Sequence, residues 1–197
     1  WGYAAMGADL AELIADNGLR NCILLGHSMG GKTAMQFALE HPELLDKLII
    51  ADMAPRYYPP HHQSVLLGLE AVDFKHIKTR KEAEAILSQH IDDFGTKQFL
   101  LKNIFWKEDG EMDWRFNLKV ITEEIENVGR AIQTDHSCDV PTLFIRGEKS
   151  EYVLETDLLI IREIFPRSYI ETIADAGHWI HAEKPAAFFK VVMDFIK

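Results

Sequence analysis

The stretch ILLGHSMGGKT, residues 23 to 33, constrains the fold of this chain more than any other. An apolar run ends at Gly26 and a helix-forming run opens after Gly31, so the stretch reads as a strand, a turn and a helix. Two motifs overlap on it. Gly26, Ser28 and Gly30 spell G-x-S-x-G, a sharp turn that lifts a serine hydroxyl above a sheet. Gly26, Gly31, Lys32 and Thr33 spell G-x-x-x-x-G-K-T, a loop whose N–H groups cradle phosphates. Both belong to α/β sheets, but their chemistry differs.

The flanking pattern extends the α/β reading. Residues 3–17 carry Leu10, Leu13 and Ile14 at helical spacing and stop at Gly18. Residues 22–25 form a short apolar run, the mark of a buried strand. Residues 32–40 read as a helix closed by His41-Pro42, and 48–51 as a second buried strand ending at Asp52. From about 62 to 132 only helical periodicity appears, over 65–72, 80–91, 99–105 and 121–132, with a polar, aromatic loop around 106–116. The α/β grammar then resumes, with a strand over 141–147, a helix over 155–165, a strand over 168–173, a loop at 177–179 and a helix over 185–196. The expected organisation is an α/β core over 1–56 and 138–197 with a helical cap over 57–137. Only four strands are visible and the first follows a helix, which predicts further strands upstream; whether residues precede Trp1 stays open.

The chain of 197 residues has a formal net charge of -10 and a pI near 5.3. Nucleic-acid binding needs a concentrated positive field, so that partner class is excluded. Cys22 opens the first strand as a small buried hydrophobe, and Cys138 lies in a polar stretch. Two cysteines without repeated spacing predict neither a disulfide framework nor a zinc site, and suit a reducing cytoplasm. No run of about 18 apolar residues suggests a membrane span. His61-His62 reads as a surface pair, not a metal site, because no carboxylates accompany it.

Three features choose between the two motifs. Glycines stand two residues before and two after Ser28, where a strained elbow leaves little space for Cβ atoms. His178 follows the last strand, in Asp175-Ala176-Gly177-His178-Trp179, where a base for Ser28 belongs. The chain order serine, acid, histidine fits the elbow. A phosphate loop predicts none of these, although Leu48 to Asp52 matches its magnesium-holding strand. The Lys32-Thr33 match is then a coincidence. His181 is the competitor of His178 and reads as a supporting or surface residue. His27 adjoins Ser28, so its side chain points the other way, as a packing or pocket-wall residue.

GHSMGGK, LIIADMAP, FLLKN, WRFNL, PTLFIRGEKSEY and AGHWIHAEKP together resemble the α/β-hydrolase superfamily, and within it most the small YbfF-type esterases. The resemblance implies a mostly parallel sheet flanked by helices, with a cap. It implies hydrolysis of a small carboxylic ester or thioester through an acyl-enzyme, with no cofactor and no metal. Ser28 is then the nucleophile and His178 the base. Most of the superfamily place the acid after the strand ending at Gly147, where Ser150 stands here. The YbfF-type likeness places it at Asp52; Glu148 and Glu151 are the alternatives. The Met29 amide is implied as one oxyanion donor. The second normally comes from a loop after an earlier strand, which has no counterpart in this sequence.

Tyr57, Phe105, Trp106 and Trp179 are the expected substrate-facing residues. Tyr58, Leu66, Phe99, Ile104, Trp114 and Phe116 are further candidates, weighed against simple cap core. Lys75, Lys78, Arg80 and Lys81 read as a solvated face or as a contact for a phosphate-bearing thioester such as acyl-CoA. A C–C hydrolase, a perhydrolase and a non-catalytic binder of the same fold are the alternative functions. The acyl chain, the leaving group and the oligomeric state are not set by the sequence.

Overall fold

The computed structural model describes residues 1–59 and 63–197, so the His61-His62 pair lies outside the described residues. The chain divides into two units, Trp1–Tyr58 with Arg130–Lys197, and Pro59–Gly129. In chain order the first unit begins with α1 (Tyr3–Asp16), β1 (Cys22–His27), α2 (Met29–Glu40) and β2 (Leu45–Ala51). The second unit holds α3 (Gln63–Ala71), α4 (Arg80–Leu87), α5 (Phe94–Leu101), β3 (Ile104–Trp106), β4 (Met112–Trp114), α6 (Leu118–Glu123) and α7 (Ile125–Gly129). The first unit resumes with β5 (Thr142–Gly147), α8 (Leu158–Ile164), β6 (Ser168–Ile173), α9 (Ile180–Glu183) and α10 (Pro185–Ile196).

Strands β1, β2, β5 and β6 form one parallel sheet in that order. Gly26 lies beside Ile50, Ile50 beside Phe144, and Phe144 beside Ile170. The side-chain period of two sends alternate residues of the central strands to opposite faces. Leu48, Ile50 and Phe144 pack with Met35, Phe37 and Phe165 on one face. Ile49, Ala51, Leu143 and Ile145 pack with Ile180, Phe188 and Val192 on the other. Both faces of β2 and β5 are therefore covered, which is why their sequences are nearly all apolar.

β1 departs from the expected buried strand. It lies at one end of the sheet, and Ile23 and Leu25 are 45% and 43% exposed while Gly26 is buried. An apolar run of four residues does not distinguish an end strand from a central one. Cys22 is accordingly half-buried, whereas Cys138 is buried with its thiol donating to the Ala38 carbonyl.

The second unit has an apolar core of its own, including Leu69, Leu87, Leu101, Ile104 and Trp114. Thr79 starts α4 as a capping box with Glu82, so the predicted helix start at Arg80 has a local cause. The expected loop around 106–116 is instead part of an antiparallel hairpin in which Ile104 pairs with Trp114 and Trp106 with Met112. The expected helix over 99–105 therefore ends at Leu101, and 121–132 resolves into the two short helices α6 and α7. Three-residue strands are too short to display an alternating pattern. Among the described residues no helix is long and apolar enough to cross a membrane.

Candidate active site

Ser28 occupies the single residue between β1 and α2 with φ 53° and ψ -124°. A non-glycine residue with positive φ is strained, and the surroundings must hold it. Its N–H donates to the Ala51 carbonyl, and its carbonyl accepts the Gly31 N–H at 2.8 Å. Gly26 is obligatory, because a Cβ there would lie 2.2 Å from the Gly30 carbonyl oxygen. At Gly30 the expected crowding is absent: a Cβ would meet nothing within 4 Å. The second tight position is Gly31, whose added Cβ would sit 3.2 Å from Ile50 and Met53. The helix that follows the turn packs onto β2 through Gly31, while Gly30 faces outward.

The same turn does not present Lys32 to a phosphate. Its side chain is fully buried, donates to the Arg130 carbonyl, and lies 4.7 Å over the Tyr58 ring. Burial, together with the nearby Arg56 charge, pushes the ammonium down to about 8. Thr33 donates to the Met29 carbonyl.

The parallel strands deliver their carboxyl ends to one edge of the sheet, where loops can converge. Asp52 follows β2 with φ 49°, is fully buried, and its N–H donates to the Ile145 carbonyl at 2.7 Å. His178 lies between β6 and α9. Its Nε2 is 2.9 Å from Ser28 Oγ and its Nδ1 2.8 Å from Asp52 Oδ2. The Asp52 oxygens also receive the Gly147 N–H at 3.0 Å and the Ser150 hydroxyl. A buried carboxylate is tolerated only when its lone pairs are filled, and here three donors converge on it.

The other carboxylates considered from sequence are used elsewhere. Glu148 accepts the Asp175 N–H at 2.8 Å, and Glu151 is exposed. Met29 is the first residue of α2, where an N–H has no intrahelical acceptor. His181 is exposed, and its ring stands edge-on to His27 at 4.7 Å. His27 does more than pack: its Nε2 lies 2.8 Å from the His178 carbonyl oxygen. Burial, reinforced by His178 and His181, pushes the His27 imidazole down to about 4.

Two further residues, Ser150 and Tyr152, stand against Asp52 and His178. The Tyr152 ring is stacked on that of His178 with centroids 3.8 Å apart, and its N–H donates to Ser150 Oγ. Burial, with the Asp52 charge, raises the Tyr152 phenol. Their signal lay only in the position of the loop after β5.

Of the expected substrate-facing residues, Trp179 adjoins His178, with its ring 5.3 Å from His27. Tyr57 is exposed in the loop after β2. Phe105 and Trp106 lie on β3 of the second unit, Phe105 half-buried and Trp106 exposed beneath the Arg80 guanidinium. Ile104 and Trp114 belong to that unit's core and Tyr58 to the core of the first unit. Lys75, Lys78, Arg80 and Lys81 are all exposed. Among the described residues no group of three or more His, Cys, Asp or Glu side chains is arranged to hold a metal ion.

Comparison with known proteins agrees with this architecture. The family described as alpha/beta hydrolase fold matches residues 1–185. The sn-1-specific diacylglycerol lipase ABHD11 of Mus musculus is 36% identical over 98% of the chain and 65% of its own length. The esterase YbfF of Escherichia coli is 35% identical over 98% of the chain and 74% of its own length. A solved structure of a marine microorganism esterase superposes with a TM-score of 0.95 at 41% identity, over 99% of this chain and 77% of that one. The chain thus spans a little under two thirds of the ABHD11 relative.

Proposed function

The chain belongs to the alpha/beta hydrolase family, and within it we propose that it is a serine hydrolase of carboxylic esters, with thioesters as a second leaving-group class. One observation carries the reading: a single imidazole, His178, bridges Ser28 Oγ at 2.9 Å and Asp52 Oδ2 at 2.8 Å. The esterase and lipase names of relatives at 35% and 36% identity support it.

The chemistry follows from the donor and acceptor roles. A carboxylate only accepts, so His178 Nδ1 carries a proton towards Asp52 and Nε2 is left bare. Ser28 Oγ–H donates to that bare nitrogen. As Oγ attacks the acyl carbon, its proton passes to Nε2 and the imidazolium is held by Asp52. The carbonyl oxygen becomes an oxyanion, for which the Met29 N–H is a donor. Collapse expels the alcohol or thiol, which takes the proton back from Nε2. Water then repeats the sequence on the acyl-Ser28 ester and releases the acid. The strained φ of Ser28 keeps Oγ aimed at the histidine without a search. Tyr57 and Trp179 are the proposed substrate contacts of the first unit.

Labelling with a fluorophosphonate tests this directly. A single adduct on Ser28, located by mass spectrometry and lost in Ser28→Ala, is expected. Absence of an adduct from folded protein that also hydrolyses no p-nitrophenyl ester refutes the reading.

A further inference from the structure

The proposed chemistry leaves His27 unused, yet this side chain is bound to the residue that moves the proton. Its Nε2 lies 2.8 Å from the carbonyl oxygen of His178, 151 positions away in sequence. A carbonyl only accepts, so Nε2 carries the hydrogen and Nδ1 is bare in the neutral ring. The two imidazoles stand 4.7 Å apart. His27 is the last residue of β1 and Ser28 is its neighbour, so one short segment carries the nucleophile and grips the backbone of the base. The same loop is held from its other side by Glu183, which accepts the N–H groups of Gly177 and Trp179 at 2.8 and 3.1 Å.

We infer that His27 is a positioning residue: as a neutral imidazole it donates Nε2–H to the His178 carbonyl and so fixes the distance from His178 to Ser28. The inference rests on the reading of Ser28 and His178 as nucleophile and base. The groups facing His27 are the His178 and Trp179 rings, His181 from α9 and the Asp52 carboxylate beyond them. Burial, the largest effect, and the charges of the two histidines disfavour a second proton on His27, while its hydrogen bond to the His178 carbonyl and the Asp52 charge oppose them; the balance lowers the imidazole and leaves the ring neutral at neutral pH. Three imidazoles meet here, and the proton leaving Ser28 has one of them to go to. A displacement of a reacting group by about 1 Å is enough to lower a rate by about two orders of magnitude, so a backbone grip on the base bears on kcat.

The test compares His27→Leu, which removes the donor at similar volume, with His27→Gln, whose amide N–H reaches to about the same place. Each is made alone and in a His178→Ala background, with p-nitrophenyl butyrate as substrate. His27→Leu is expected to lower kcat about 10- to 100-fold with KM within about twofold, and His27→Gln to restore most of it. In the His178→Ala background His27→Leu should cost nothing further, because it acts through His178. Full kcat in His27→Leu, no recovery in folded His27→Gln, or an undiminished loss without His178 each overturns the inference. Should His27→Leu not fold, His27→Phe carries the same comparison. Imidazole nitrogen NMR of the unmodified protein at pH 7 reads the tautomer without any activity: Nε2–H with bare Nδ1 is expected, and Nδ1–H overturns the proposal. Wild type that neither hydrolyses the ester nor takes the fluorophosphonate refutes the parent reading, and the NMR result still stands for or against His27.

Discussion

The ring of Tyr152 lies almost flat on the ring of His178, with centroids 3.8 Å apart and planes 19° from parallel. Tyr152 is itself fixed along its backbone. Its N–H donates to Ser150 Oγ and its carbonyl accepts the Tyr58 hydroxyl, which in turn accepts the Ala54 N–H. The imidazole is thus confined by an aromatic face as well as by Ser28 and Asp52. The negative face of an aromatic ring attracts a cation, by about 0.5–2 kcal/mol depending on exposure.

Tyr152→Leu should therefore lower kcat/KM for a p-nitrophenyl ester at pH 7 by roughly 3- to 30-fold, since the imidazolium formed in the transition state loses that face. Tyr152→Phe keeps the face and should remain within about threefold of wild type. Steady-state kinetics on the two variants decides it, and equal losses in both would assign the effect to the hydroxyl instead.

Asp52 and Ser150 make a graded pair. Ser150→Ala removes one of three donors to Asp52 and leaves those from Gly147 and His178. The expected fall in kcat/KM is about 5- to 20-fold, below the full worth of one charge-assisted hydrogen bond (about 10- to 150-fold) because Ser150 acts through Asp52. Asp52→Asn should cost about 10³- to 10⁴-fold, because an amide donor there favours the wrong histidine tautomer. Kinetics paired with a thermal melt separates these losses from unfolding.

The two glycines of the elbow are predicted to behave oppositely. Gly26→Ala forces a Cβ to 2.2 Å from the Gly30 carbonyl oxygen, a backbone atom with no room to give, and should destabilise by more than ~3 kcal/mol or abolish folding. Gly30→Ala puts a Cβ into open space within α2 and should be neutral or stabilise by up to ~1 kcal/mol through helix propensity. Denaturant unfolding of the two variants checks the contrast.

That contrast marks what the sequence could and could not yield. G-x-S-x-G identifies the turn, because few backbones accommodate it, but spacing alone does not say which glycine touches a neighbour. Gly31 is tight against the Gly26 carbonyl oxygen of the turn and also against Ile50 and Met53 of the adjacent strand and loop, and those last two contacts are tertiary facts. Apolar β2 and β5 were legible because both their faces are covered, whereas β1, equally apolar over four residues, has Ile23 and Leu25 exposed among the described residues. The hairpin of the second unit left no pattern in the sequence, because a three-residue strand shows no period. The burial of Asp52 was not legible, since a strand-end aspartate looks the same whether solvated or buried, and only a family likeness singled it out as the proposed acid. The contacts of His27 and Ser150 were not legible, because their partners lie 151 and 98 positions away, and those of Tyr152 were not because its loop carries no motif.

Lys32 gives a prediction in which the sign of the pH effect is the test. Its folded value lies near 8 against an ordinary value of 10.5. Below pH 8 both folded and unfolded chains hold the proton, and the folded state bears the full desolvation of a buried ammonium. Between 8 and 10.5 the folded protein has released the proton while the unfolded chain still binds it, so stability rises with pH by up to ~3 kcal/mol in total. The Cys138 thiol acts in the opposite sense above about pH 9, and Tyr3, Tyr58 and Tyr152 above about pH 10, because burial raises all four, so the clean window is pH 8 to 9. Lys32→Met keeps the volume and removes the titration. Its unfolding free energy, measured in denaturant at each pH, should lack the upward slope of wild type across that window. At pH 7 the variant should be as stable as wild type or more so, since exchanging a buried charge for an apolar side chain of similar size is often neutral or favourable. A wild-type stability that falls between pH 8 and 9 while the variant stays level would show that the buried ammonium is net stabilising, through the Arg130 carbonyl and the Tyr58 ring.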